Sequence, residues 1–137
     1  MKILSVFHPL FQVATFVVGV YNARMGITRK NFTYWRHFRF GMLYYGMAIL
    51  GLSGGMMIIE SLEEAGREIE LGSHLEIAFL MVFLFVLAGV LGLLIHYRPN
   101  LRKGLMPVHK YLNLATLLLF IYQAVTGFSG LLRFLLS

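Results

Sequence analysis

The chain has 137 residues, 58% of them hydrophobic and 13% charged, with a mean hydropathy of +0.75 and a formal charge of +6. Values so far toward the apolar side exclude an ordinary soluble domain and leave a membrane protein. The cations cluster beside apolar segments, which excludes a nucleic-acid surface, and the lack of cysteine removes disulfides, thiolate metal sites and cysteine nucleophiles.

Crossing the hydrocarbon takes about 20 apolar residues, and four segments qualify, at about 3–22, 38–59, 74–96 and 109–135. Their short connections predict one all-α, up-down-up-down four-helix bundle over residues 1–137, with no separate soluble domain. The first segment has a long apolar run, carries Pro9 and Gln12, and is followed by no small-x-small cleavage pattern. A mature helix is therefore expected there rather than a signal peptide. Its single polar stripe reads His8, Gln12, Thr15, Gly19, Asn22 at steps of three or four.

The next loop carries Arg24, Arg29, Lys30, Arg36 and Arg39, with Tyr34 and Trp35 as aromatic anchors at headgroup level. Helix two presents His37, Gly41, Tyr44, Ala48, Gly51 and Gly55 on one face, small residues that permit close packing or the approach of a flat ring. The loop after it is acidic, with Glu60, Glu63, Glu64, Glu68 and Glu70 against Arg67. Helix three has His74, Ala78, Met81, Phe85, Ala88, Gly92 and His96 in register, and the following loop is again basic, with Arg98, Arg102, Lys103 and Lys110. Helix four carries His109, Asn113, Thr116, Phe120, Gln123, Gly127 and Gly130 on its polar and small face. Hydrocarbon satisfies neither an amide nor an imidazole, so these stripes are expected to face protein or a cofactor. The positive-inside rule puts the basic loops in the cytoplasm and both termini on the outer, periplasmic side.

A bundle of this topology puts His8 and His74 on diagonal helices at one membrane surface and His37 and His109 on diagonal helices at the other. Two imidazoles facing across a bundle are what a six-coordinate haem b requires, so two such pairs predict two haems. Gly41, Gly55, Gly92 and Gly127 would let a flat macrocycle lie close to backbone. Arg36, Arg39, Arg98 and Lys110 are candidates for the propionates of the inner haem, and Lys2, Arg67 or Arg133 for those of the outer one. His96 belongs to the same inner layer as His37 and His109 and is a possible substitute ligand. The glycine stripes read equally as helix-packing surfaces, and Met47, Met81 and Phe85 as core. Other chemistries have less support, since the six acids are all glutamates at loop or helix edges and no HxxxH pair, phosphate loop or nucleophile elbow is present.

Four histidines at helix starts, separated by 29, 37 and 35 positions, resemble the diheme four-helix core of the cytochrome b561 group of transmembrane electron carriers. The segments HPLFQ, RHFRFG and HKYLNLATLLLFIYQAVTG are similar to those of small bacterial b561-like membrane proteins. The resemblance covers nearly the whole chain. It implies His8, His37, His74 and His109 as axial ligands and electron transfer across the bilayer of a bacterial inner or photosynthetic membrane. The chain lacks the flanking helices and any ascorbate-binding motif of the larger group.

Two other readings start from the same residues. One is a small accessory or anchor subunit of a larger redox or photosynthetic complex, in which the histidines ligate nothing or hold chlorophyll. The other is a quinone-reactive subunit with a pocket near Tyr44, Tyr45 or Gln123. Membrane lipid, redox partner proteins or quinone, and a parent complex or homo-oligomer are the expected partners.

Overall fold

The computed structural model describes the backbone over residues 2–66 and 72–136 and the side chains over 6–66 and 72–133. Four helices account for nearly all of it: α1 (Lys2–Thr28), α2 (Tyr34–Glu64), α3 (His74–Tyr97) and α4 (Arg102–Leu136), with a 3₁₀ turn, Pro99–Leu101, leading into α4. The shortest, α3, has 24 residues, a length of about 36 Å at 1.5 Å per residue. All four are therefore long and apolar enough to cross a bilayer.

Local chemistry sets where the helices stop. The link from α1 to α2 turns through Arg29 and Asn31, both in the left-handed region at φ 57° and 56°. Thr33 then opens α2 from an extended backbone, its hydroxyl accepting from the Arg36 N–H at 3.2 Å, as an N-cap should. Hydroxyls inside the helices bond to the carbonyl one turn back: Thr15 to Phe11 at 2.9 Å, Ser53 to Ile49 at 3.1 Å and Ser129 to Val125 at 2.9 Å. The protons of these three hydroxyls are thereby kept from lipid.

The helices run past the segments that hydropathy marks. Instead of 3–22, α1 continues to Thr28; α2 begins at Tyr34 rather than 38 and ends at Glu64 rather than 59; and α4 starts at Arg102, before Pro107, rather than at 109. Hydropathy records only the stretch inside hydrocarbon. Backbone hydrogen bonding carries a helix onward through charged residues at the headgroups, where water or a capping residue finally replaces its partners.

The helices pack around a ring in chain order. Contact is most extensive within the α1–α2 and α3–α4 hairpins, less between α4 and α1, and least between α2 and α3. Among the described residues the α2/α4 diagonal is bridged by side chains alone, the Tyr45 hydroxyl donating to Asn113 Oδ1 at 3.3 Å. Large apolar side chains such as Phe7, Leu10, Leu50, Phe83, Leu118 and Val125 point outward. The buried set includes Thr15, Asn22, Thr116 and Gln123, with both threonines fully enclosed. Polar and small groups inside and hydrocarbon outside is the arrangement a lipid solvent selects. The four predicted stripes face inward except at His96, with Thr15, Gly19 and Asn22, Tyr44, Ala48 and Gly51, Met81, Phe85 and Ala88, and Thr116, Phe120 and Gln123 buried. The molecule is thus an all-α transmembrane four-helix bundle.

Candidate functional site

Every helix carries a histidine near its start and a glycine 18 positions later: His8 and Gly26, His37 and Gly55, His74 and Gly92, His109 and Gly127. Eighteen residues are five turns at 3.6 residues per turn, so the two share a face at opposite ends of the helix, about 27 Å apart. Antiparallel pairing within a hairpin then sets each histidine against its neighbour's glycine. His8 packs on Gly55, His37 on Gly26, His74 on Gly127 and His109 on Gly92. A β-carbon added at these glycines would lie 3.1, 3.1, 2.9 and 3.3 Å from the respective imidazole Cε1. The glycines are seats for imidazole rings.

The position one turn before each glycine completes the seat: Gly51, Asn22, Gln123 and Ala88. The Ala88 carbonyl lies 2.9 Å from His109 Nδ1. A carbonyl only accepts, so Nδ1 carries the proton and Nε2 keeps its lone pair for a metal. His74 Nδ1 lies 2.8 Å from the Thr126 hydroxyl. That hydroxyl can give its one proton to the Tyr122 or Gln123 carbonyl, at 3.1 and 3.2 Å, and in that arrangement it accepts from Nδ1–H and leaves Nε2 bare. Gln123 holds the backbone of the same residue, its Nε2 donating to the His74 carbonyl.

At His37 the partner is Asn22, and here the amide orientation selects the tautomer. With its nitrogen toward the histidine, the amide lies 2.9 Å from Nδ1 and 3.0 Å from the His37 carbonyl, while its oxygen accepts from the Gly41 N–H at 3.3 Å. Turned over, the amide oxygen would accept from Nδ1–H and leave Nε2 as the free nitrogen, but it would also face the His37 carbonyl and set the amide nitrogen against the Gly41 N–H, so the satisfied orientation is the one that donates to Nδ1.

Across the bundle the His37 and His109 rings stand 6.3 Å apart between centroids, with planes at 75°. Two metal–imidazole bonds of about 2.0 Å, with roughly 1 Å from each ring nitrogen to its ring centre, put trans imidazole centres roughly 6 Å apart. The pair thus has the spacing of two ligands on one metal ion. His8 and His74 lie at the other end of the bundle, on the diagonal helices α1 and α3. No group of three or more histidine or acidic side chains gathers among the described residues, so an ion held here would have two protein ligands.

Aromatic rings fill the space between the two layers. Tyr44 contacts Phe85 at 4.9 Å, Tyr45 stacks on Phe85 at 5.1 Å, and Phe16 meets Phe120 at 5.6 Å. Gly19 leaves room for the Tyr44 ring, which would stand 2.6 Å from a β-carbon there. Three buried polar atoms, Oε1 of Gln12, Oε1 of Gln123 and the Tyr44 hydroxyl, have no hydrogen-bond partner among the described residues.

The remaining expected site residues lie elsewhere. Gly41 touches the Asn22 amide rather than a histidine. His96 is exposed and stacks on Tyr34 at 3.6 Å with planes 6° apart, outside the inner pair. Arg36 and Arg39 are exposed and line an outward recess with Thr33, Trp35 and Phe40. Arg98, Lys110 and Arg133 are exposed, and Arg67 and the side chain of Lys2 lie outside the described residues.

Gly26 was absent from the expected set because it lies beyond the hydropathic end of helix one. The 18-residue interval common to all four helices is the signal that finds it. Comparison of the chain with known protein families, with characterised proteins and with solved structures returns no match.

Proposed function

We propose that this chain is a diheme b-type cytochrome of a bacterial inner or photosynthetic membrane, carrying electrons between its two faces. The observation that carries this reading is the His37–His109 separation of 6.3 Å, together with the Nδ1 partner that leaves His109 Nε2 free. His37 and His109 would hold one haem, and His8 and His74 the other. The resemblance of the four-histidine order to the b561 group supports the same assignment. A haem iron supplies reversible one-electron chemistry, and its potential follows from its axial ligands, nearby charge and burial.

The chain's own residues perform the rest. Ala88 holds His109 in the tautomer that would ligate iron, and Thr126 and, with its amide turned, Asn22 would do the same for His74 and His37. Gly26, Gly55, Gly92 and Gly127 let each ring lean on the neighbouring helix, which fixes its direction. Tyr44, Tyr45, Phe85, Phe16 and Phe120 exclude water from the midplane and leave a packed path between the layers. Basic loops at the His37–His109 end make that end cytoplasmic, with both termini on the outer side.

Reduced-minus-oxidised spectroscopy with haem quantitation on the purified protein tests the proposal. It expects a sharp reduced α-band and two haems per chain. Loss of the haem at one end on His37→Ala or His109→Ala, with the other retained, assigns the pair. A protein without haem, or one that yields chlorophyll on extraction, would instead be the accessory subunit of a larger complex.

A further inference from the structure

At the basic end of the bundle, along the first turns of α2, Thr33, Trp35, Arg36, Arg39 and Phe40 line an open recess of about 630 Å³. Thr33, Arg36 and Arg39 follow one another at steps of three, so they share one side of α2. Arg36 is fixed in place, its guanidinium donating to the Tyr21 hydroxyl at 2.7 Å. Tyr21 is steadied in turn by an edge contact with Phe40 at 4.8 Å. Arg39 makes no hydrogen bond among the described residues.

Among the described residues no carboxylate pairs with these arginines. All six acids of the chain fall between Glu60 and Glu76 in sequence, and the described ones, Glu60, Glu63, Glu64 and Glu76, lie at the opposite end of the bundle. Two guanidinium groups without a counter-ion, beside an indole and a phenyl ring at headgroup depth, call for a ligand that is anionic at one end and apolar at the other. The volume is many times the ~30 Å³ share of one water, which suits a headgroup with its glycerol backbone better than a lone inorganic anion.

We infer that this recess is a binding site for a phospholipid with an anionic headgroup, its phosphodiester held between Arg36 and Arg39 with the Thr33 hydroxyl near, and its chains passing over Phe40 and Trp35 into the bilayer. The site is separate from the histidine pairs, and it stands whether or not the bundle carries haem. Basic recesses beside transmembrane helices recognise such lipids by this chemistry.

The test is lipid retention. The protein is reconstituted in bilayers containing equal amounts of phosphatidylglycerol and phosphatidylcholine, extracted in mild detergent, and its bound lipid measured by native mass spectrometry. Phosphatidylglycerol is expected to be retained in preference to phosphatidylcholine. The double variant Arg36→Gln/Arg39→Gln should lower that retention roughly thirtyfold, the effect of two surface cations. Arg102→Gln/Lys103→Gln, which removes two exposed cations of the same end outside the recess, should change it less than threefold. Arg39→Gln alone breaks no hydrogen bond of the described structure, and it should reduce retention several-fold even if the double variant fails to fold. Equal retention of the two lipids, no loss in Arg39→Gln, or an equal loss in the Arg102 and Lys103 variant would overturn the site. Thermal stabilisation by millimolar inorganic phosphate equal to that by phosphatidylglycerol would make it a free-phosphate site and refute the lipid assignment.

Discussion

Gly127 lies beneath the His74 imidazole so closely that a β-carbon there would stand 2.9 Å from Cε1. The ring has little freedom to retreat, because Nδ1 is held by Thr126 and the residue's own carbonyl by Gln123. Gly127→Ala is therefore expected to destabilise the fold by about 1–3 kcal/mol, the usual cost of overpacking. Gly92→Ala, at 3.3 Å, should cost less. Gly46→Ala and Gly54→Ala, where a β-carbon meets nothing within 4 Å, should be neutral or stabilise by up to about 1 kcal/mol through helix propensity. Thermal unfolding of the four variants in one detergent ranks them, and a Gly127→Ala protein as stable as Gly46→Ala would contradict the seat.

Asn22 is the side chain through which the His37 tautomer is set. Asn22→Leu removes the Nδ1 partner and is expected to weaken haem retention at the His37–His109 end by about 10- to 100-fold, as loss of an outer partner of a metal-binding histidine does. Under the diheme proposal, the His8–His74 end should keep the haem assigned to it. Haem content per chain after competition with apomyoglobin reads this directly, and equal retention at both ends would argue against the role.

His96 stacks on Tyr34 outside the bundle. His96→Ala should leave the visible spectrum and haem content unchanged. Its expected effect is the loss of an exposed aromatic contact between the ends of α2 and α3, worth about 0.5–1.5 kcal/mol in stability. Loss of a haem on this change would return His96 to the inner ligand set.

Tyr44 is almost fully buried, its ring against Phe85 and its hydroxyl beside Thr116 without a hydrogen bond. Tyr44→Phe keeps the aromatic layer and removes a polar group that burial penalises. Its melting temperature should equal or exceed that of the parent. A fall of several degrees would show that the hydroxyl has a partner.

Helical periodicity in a lipid solvent is a strong constraint, and much follows from it without a fold. Hydrocarbon tolerates neither amide nor imidazole, so the stripes beginning at His8, His37, His74 and His109 had to turn inward, and Thr15, Asn22, Thr116 and Gln123 are buried accordingly. Alternation of basic and acidic loops likewise specified which helix starts share an end. The residues that escaped this reading did so for geometric reasons. Eighteen positions return a side chain to the same angle around a helix, whereas 22 add about 40° and a further turn. His96, 22 residues after His74, has therefore left the interior for Tyr34, while Gly92, 18 residues after it, has not.

Arg36 and Arg39 flank His37 in sequence but line a recess on another side of α2, a difference that nearness along the chain does not show. Gly41 and Gly26 show the same limit. One turn after His37, Gly41 meets the Asn22 amide, and the seat of His37 is a glycine of the preceding helix. From its amino acids alone, then, the chain specifies four membrane-crossing helices, their inward faces and the end of the bundle at which each histidine lies, because burial and charge act residue by residue. Which glycine receives which ring, how near His37 comes to His109, and which cations face outward were decided by packing, since those relations exist only between helices and depend on their rotation against one another.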